Sequence, residues 1–193
     1  GIAAAKDNTI GTVGIAPGAR VWAIKVLNRQ GKGTFSDIIA GIDYVTANAF
    51  EIEVANMSLG GSGNDGPSAF HTAIANSVNA GVIYVVAAGN ESQDAANSVP
   101  ASFDEVITVS AMADTDGIPG SLGSSTSYGA DDSFASFSNY GHDIDLAAPG
   151  VNIYSTYKGS NYKNLSGTSM ASPVVAGAAA LYLVNNPSAS PNQ

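Results

Sequence analysis

The stretch SGTSMASP, Ser166–Pro173, puts Ser169 where a loop gives way to a helix of small residues. A serine hydroxyl is a weak nucleophile near neutral pH unless a base takes its proton. Its attack also needs donors aimed at the oxyanion that forms. A helix start supplies one, because its first backbone N–H groups have no partner within the helix. Gly167 lets the backbone approach a substrate closely. Pro173 is expected in the first turn, which would fix the helix start near Ser169. The same residues also read as ordinary capping, with the Thr168 or Ser169 hydroxyl accepting from first-turn N–H groups. On spacing alone, nucleophile and cap both stay open.

A base is harder to find, since the chain has only 2 histidines. His71 lies beside the apolar face of an expected helix and reads as a surface or boundary residue. His142 lies in NYGHDID, next to Asp143 and Asp145. Neighbours in sequence do not orient one another as the members of a triad must.

The elements that would position Ser169 alternate strands with helices. VWAIKVL, Val21–Leu27, is a short apolar run expected to be a buried strand. Thr34 or Ser36 can cap a helix with Ile38, Ile39, Ile42 and Val45 on one face. VANMSL, Val54–Leu59, reads as a strand. Ala69–Ala80 reads as a helix with Phe70, Ile74, Ser77 and Val78 on one face. GVIYVVAA, Gly81–Ala88, is rich in β-branched residues, as in a strand buried on both faces, and EVITVSAM, Glu105–Met112, is a further strand. Strands joined by helices of this length imply an α/β fold, a parallel sheet with helices on both faces. In such folds function sits at the carboxyl ends of strands; two of those ends, Asn56–Gly61 and Ala88–Glu91, carry polar punctuation. The segment 113–134, rich in Gly, Ser and Asp, is expected to be an acidic surface loop. No strand is followed by G-x-G-x-x-G or a P-loop, which argues against a nucleotide-binding domain.

Bulk properties narrow the function further. A chain of 193 residues, 45% apolar and 12% charged, can bury the core of one domain. A net charge of −9 disfavours nucleic acid and anionic membrane surfaces as partners and suits cations. There is no cysteine, hence no disulfide or thiolate site. No apolar run is expected to span a membrane, and GIAAAKDN is not a signal peptide.

GTSMASPVVAGAAAL, Gly167–Leu181, resembles the nucleophile block of the subtilisin family of serine proteases. The resemblance continues in SLGG (Ser58–Gly61), AAGN (Ala87–Asn90), APG (Ala148–Gly150) and DNTIGTVGIAPGA (Asp7–Ala19), in the family's order, over essentially the whole chain. It implies a subtilisin-like three-layer α/β fold and a serine endopeptidase acting on polypeptides, secreted in origin. By position, Ser169 matches the nucleophile and Asn90 the side-chain donor to the oxyanion. Ser58, Leu59, Gly60 and Gly61 match the edge that pairs with extended substrate, and Ala87, Ala88 and Gly89 match a wall of the pocket for the residue before the scissile bond. The family's aspartate motif, D-x-G, and histidine motif, H-G-T-x-V-A-G, are not in these 193 residues. The expectation is a single partial domain over 1–193, lacking the Asp- and His-bearing segment and a last helix, with 113–134 inserted. A longer enzyme, a nicked enzyme holding an N-terminal fragment, a bound propeptide and an inactive relative all stay open, as does a noncatalytic peptide- or calcium-binding module derived from a protease.

The resemblance also implies structural calcium. Lys6, Asn8, Ile10 and Thr12 match one site of the family; a second, weaker one would use carbonyls of Ala101, Phe103 and Val106 with Asp145. Asp114-Thr115-Asp116-Gly117 begins like a calcium loop but lacks the downstream glutamate. With Asp131 and Asp132 nearby, a solvated acidic loop is the expected reading there.

Overall fold

A computed structural model describes residues 1–66 and 68–190. Helix α1 spans Phe35–Ala47, β1 Val54–Met57, β2 Gly61–Ser62, α2 Ala69–Asn79, β3 Ile83–Ala87 and β4 Ser98–Val99. Then follow β5 Ile107–Ala113, β6 Ser133–Phe134, β7 Leu146–Pro149, the hairpin β8 Ile153–Tyr157 and β9 Asn161–Leu165, and α3 Thr168–Asn185.

The central sheet runs β1-β3-β5, all parallel, with β7 parallel on β5 and β6 antiparallel at its end. Alternation along β3 explains the layering, because successive side chains point to opposite faces. Tyr84 and Val86 join Ile42, Val45, Phe70 and Ile74 of α1 and α2 in one core. Ile83 and Val85 join Val109, Ala111, Ala148, Ala171 and Ala176 in another, closed by α3. Every residue of β3 is buried, as its unbroken β-branched run requires. The result is the three-layer α/β fold.

Helix α1 starts where its capping residues dictate. Thr34 accepts from the Asp37 N–H, and the Asp37 carboxylate accepts from the Thr34 N–H, a reciprocal capping box. Ser68 caps α2 with a single bond, its hydroxyl accepting from the His71 N–H at 3.0 Å.

Three expectations are corrected. Val21–Leu27 is extended but belongs to no ladder. Its alternate residues Trp22 and Ile24 pack on the α1/α2 core, so the segment has a strand's pattern without a strand's partner. Pro173 lies in the second turn of α3 rather than the first. Lacking an N–H, it cannot bond the Ser169 carbonyl four residues back; the Ser58 hydroxyl donates to that carbonyl instead, at 2.9 Å. Finally, α3 has 18 residues and a mean hydropathy of 1.2, long and apolar enough to cross a membrane by length and composition. Here it is a sheet-covering helix, with Ala171, Pro173, Ala176 and Gly177 buried against the strands.

Candidate active site

Ser169 stands in the first turn of α3, directly beyond the carboxyl ends of β1 and β3. Gly167 is the N-cap and has no side chain to cap the helix, so neither Thr168 nor Ser169 is spent as the N-cap. The Gly167 N–H donates to the Gly150 carbonyl at 2.8 Å, and the Gly150 N–H to the Met112 carbonyl at 3.0 Å. A side-chain carbon on Gly150 would lie 2.6 Å from the Ala111 Cβ and 3.0 Å from the Gly167 carbonyl oxygen. Glycine is therefore required where β7 delivers the serine turn onto the sheet.

Asn90 follows β3, and its orientation is fixed by chemistry. Its Oδ1 accepts from the Thr168 N–H at 2.8 Å and from the Thr168 hydroxyl at 3.1 Å. Only oxygen can accept from a backbone N–H, so the NH2 end of the amide is unambiguous. That NH2 has no partner among the described residues and is available as a donor beside the Ser169 turn. The Thr168 hydroxyl also accepts from the Gly89 N–H at 3.2 Å. Thr168 is fully buried and locks the two loops together.

Beneath the serine runs a second polar chain. The Ser169 hydroxyl donates to the Ser58 carbonyl at 3.4 Å. Asn56 donates to the Ser58 hydroxyl at 3.0 Å and accepts from the Ser172 hydroxyl at 2.7 Å. Thus Ser58, at the start of the candidate substrate edge, is tied to the Ser169 turn from both sides. Leu59 and Gly60 continue it, and Gly61 enters β2, which pairs with β4. Ala87 and Ala88 are buried and Gly89 is half-buried.

Neither histidine faces Ser169. The two ring nitrogens of His71 meet Asp65 at 3.1 Å and Glu105 at 2.8 Å, and the ring stacks on Phe103 at 4.3 Å. Burial opposes its charge, but the Glu105 hydrogen bond and the Glu105 and Asp65 carboxylates raise its pKa above 6.5. The stabilisation from this pair is therefore fully present below 6.5 and is lost as pH rises through the higher folded value. Thermal melts at low salt should show up to about 1 kcal/mol of stability disappearing over that interval, and His71→Gln should abolish the dependence. His142 is exposed in the loop after Gly141.

The candidate cation ligands fall in two places. Lys6, Asn8 and Ile10 lie in an exposed turn, with Asn8 Oδ1 accepting from the Ile10 N–H at 3.2 Å. The Thr12 hydroxyl at its end is buried and has no partner among the described residues. Ala101, Phe103, Val106 and Asp145 gather around Thr108: the Thr108 hydroxyl donates to the Ala101 carbonyl, its N–H donates to the Asp145 carboxylate, and the Val106 N–H donates to the Phe103 carbonyl.

The acidic segment is more ordered than a solvated loop. Asp131 is buried and accepts from the N–H groups of Thr115 and Gly123, each at 2.7 Å. Asp132 accepts from Gly120 and Ser121, and Asp114 from Gly117. Carboxylate oxygens of Asp114, Asp131 and Asp132 lie within 4.8 Å of one another. The N–H bonds from Thr115 and Gly123 hold the Asp131 carboxyl below its usual 3.8. Its support is present above 3.8 and lost as pH falls through the lower folded value. Amide exchange at Thr115 and Gly123 should lose protection there, and in Asp131→Asn at neutral pH, while β5 stays protected.

Ser169 and Asn90 were predicted as site residues; Thr168, Asn56 and Ser172, which hydrogen-bond around them, were not. Only Thr168 carried a signal, its place in G-T-S, and capping explained that equally well.

This fold and this serine–amide pairing define the class: a three-layer α/β protein with a serine at a helix start beneath an oriented amide donor. Residues 1–193 match the subtilase family throughout. The chain belongs to that family. It is 42% identical over 196 residues to Subtilisin DY of Bacillus licheniformis, covering 100% of this chain and 64% of that protein. It is 46% identical over 189 residues to an extracellular serine proteinase of Thermus sp. strain Rt41A, covering 96% and 42% respectively. Among solved structures, a cold adapted subtilisin-like serine proteinase superposes with a TM-score of 0.79 at 40% identity, covering 93% of this chain and 59% of that one. A protease of Pseudoalteromonas arctica PAMC 21717 gives 0.83 at 34% identity, covering 100% and 59%. The chain thus spans less than two thirds of the length of these relatives.

Proposed function

We propose that this chain carries the nucleophile and the oxyanion donor of a subtilisin-type serine endopeptidase, whose triad aspartate and histidine lie outside residues 1–193. Ser169 attacks the scissile carbonyl, and the Asn90 NH2 donates to the oxyanion that forms. The observation that carries this reading is the bond from the Thr168 N–H to Asn90 Oδ1. It spends the amide's acceptor on the helix and leaves its donor free at the serine. Such a donor needs no reorganisation when charge develops. The run Ser58–Gly61, half-buried at Ser58 and Leu59 and exposed at the two glycines, serves as the edge to which an extended polypeptide adds as a strand, and Ala87–Gly89 forms a wall of small residues beside it.

A groove of about 1160 Å³ supports a missing segment. Trp22, Ile24 and Val26 line it together with Val54, Asn56 and Met57 of β1. On this side β1 is the unpaired edge of the sheet, and Val21–Leu27 faces it as a strand without a ladder. A bare strand edge in an apolar groove is a pairing site. A parallel strand seated there would end beside Ser58 and Ser169, where a triad residue is needed.

Calcium in a structural role is proposed at Lys6, Asn8, Ile10 and Thr12. The unpartnered buried Thr12 hydroxyl favours it, and hard oxygen donors suit this ion. A second site is proposed at Ala101, Phe103, Val106 and Asp145. Extracellular action is proposed by analogy with the secreted relatives, and 113–134 is proposed as an insertion in the domain.

The test compares the 193-residue chain with the full gene product on a peptide anilide. Hydrolysis by the full product and no more than a trace by the chain is the expected result. Ordinary protease rates from the chain alone would defeat the reading.

A further inference from the structure

Asn139 is fully buried and lies in FSNYG, outside the segments that carry the family resemblance. Its carboxamide is saturated. Oδ1 accepts from the Glu91 N–H at 3.0 Å and the Gln93 N–H at 3.2 Å. Nδ2 donates to the Ala88 carbonyl at 2.9 Å, Glu91 Oε2 at 3.0 Å and the Ser98 hydroxyl at 3.2 Å. Its own N–H donates to the Gly89 carbonyl at 3.0 Å. One side chain therefore grips the loop on both sides of Asn90. The same Glu91 oxygen accepts from the Asn90 N–H at 2.8 Å.

Contact with the loop is also steric. Gly89 has a φ of +107°, and a side-chain carbon there would lie 2.3 Å from Asn139 Nδ2 and 2.6 Å from Glu91 Oε2. The amide is packed against the backbone turn that aims Asn90.

Resting on the function proposed above, we infer that Asn139 is a positioning residue for the oxyanion donor. It sets the Gly89–Gln93 turn so that the Asn90 NH2 meets the oxyanion, with Glu91 as its intermediary. Thr168 fixes which end of the Asn90 amide faces the serine; Asn139 fixes where the backbone beneath that amide stands. A displaced donor is lost mainly in the transition state, because only there does the oxyanion bear full charge.

The test uses the active enzyme that contains this chain. Asn139→Ala should lower kcat about tenfold with KM changed less than about twofold, since small displacements of a catalytic group carry such costs. In an Asn90→Ala background the same change should cost less than about twofold, because the donor it positions is gone. Equal fold losses in the two backgrounds would mean a merely structural role and overturn the inference. Asn139→Asp keeps the size and both acceptor bonds but sets a carboxylate against Glu91. Like charges at this distance raise a pKa, so protonation at lower pH returns a donor. Its kcat relative to the unaltered enzyme should recover as pH falls, and a ratio independent of pH would also overturn the inference. This isosteric variant serves if the alanine variant does not fold. If the unaltered enzyme shows no reactivity at Ser169, the fault lies with the proposed function. Amide exchange in the chain then decides about Asn139: faster exchange at Glu91 and Gln93 in the variants is expected, and unchanged exchange contradicts it.

Discussion

Ser169→Ala should abolish hydrolysis in the active enzyme while leaving its melting temperature within about two degrees. Loss of a nucleophile serine in a subtilisin costs about 10⁶ in kcat, and that magnitude is taken from the subtilisin case. The structural consequence should be slight. The Ser169 hydroxyl makes one long bond, 3.4 Å to the Ser58 carbonyl, and caps nothing. The backbone carbonyl of Ser169, which accepts from Ser58 in place of Pro173, survives the substitution. Steady-state kinetics with a melting curve on the same sample separate the outcomes. Retained turnover by a folded variant would move the chemistry to another group.

Asn90→Ala should lower kcat by about 10²–10³ with KM little changed, again the size known for this donor in a subtilisin. Its side chain costs more to remove than that of Ser169, because Oδ1 accepts from two groups of Thr168. The N–H and hydroxyl of the fully buried Thr168 would then lose their acceptor, and about 1–3 kcal/mol of stability should go with it. Asn90→Asp gives a sharper contrast. The acceptor for Thr168 is retained, the donor is replaced by an anion, and stability should hold while kcat falls at least as far. A variant that loses KM rather than kcat would place Asn90 in ground-state binding instead.

Much of this was legible in the residues, for identifiable reasons. The β-branched run in Gly81–Ala88 could only be a strand buried on both faces, and its alternation already separates the two cores. Thr34 or Ser36 marked the start of α1 through local capping chemistry, and Thr34 is the residue that takes the role. Ser169 and Asn90 were singled out because G-T-S-M-A-S-P and A-A-G-N are continuous words in the chain. What was missed is what tertiary packing decides. Val21–Leu27 has the composition of a strand, but composition does not supply a neighbour. Pro173 looked like a first-turn residue because nothing local reveals that Ser58, 111 residues away, satisfies the carbonyl it abandons. The aspartates of 113–134 read as solvated charge, yet each of Asp114, Asp131 and Asp132 is spent on backbone N–H groups of its own loop. Asn139 has no spacing signal at all, since its partners come from 41 to 51 residues earlier.

The most direct test of the central claim is an intact-mass and peptide map of the active enzyme after exposure to a fluorophosphonate. The account predicts a single adduct, on the peptide containing Ser169, and a histidine-bearing segment in the same preparation beyond residues 1–193. An adduct on any other serine, or labelling of the isolated 193-residue chain at the full enzyme's rate, would contradict it.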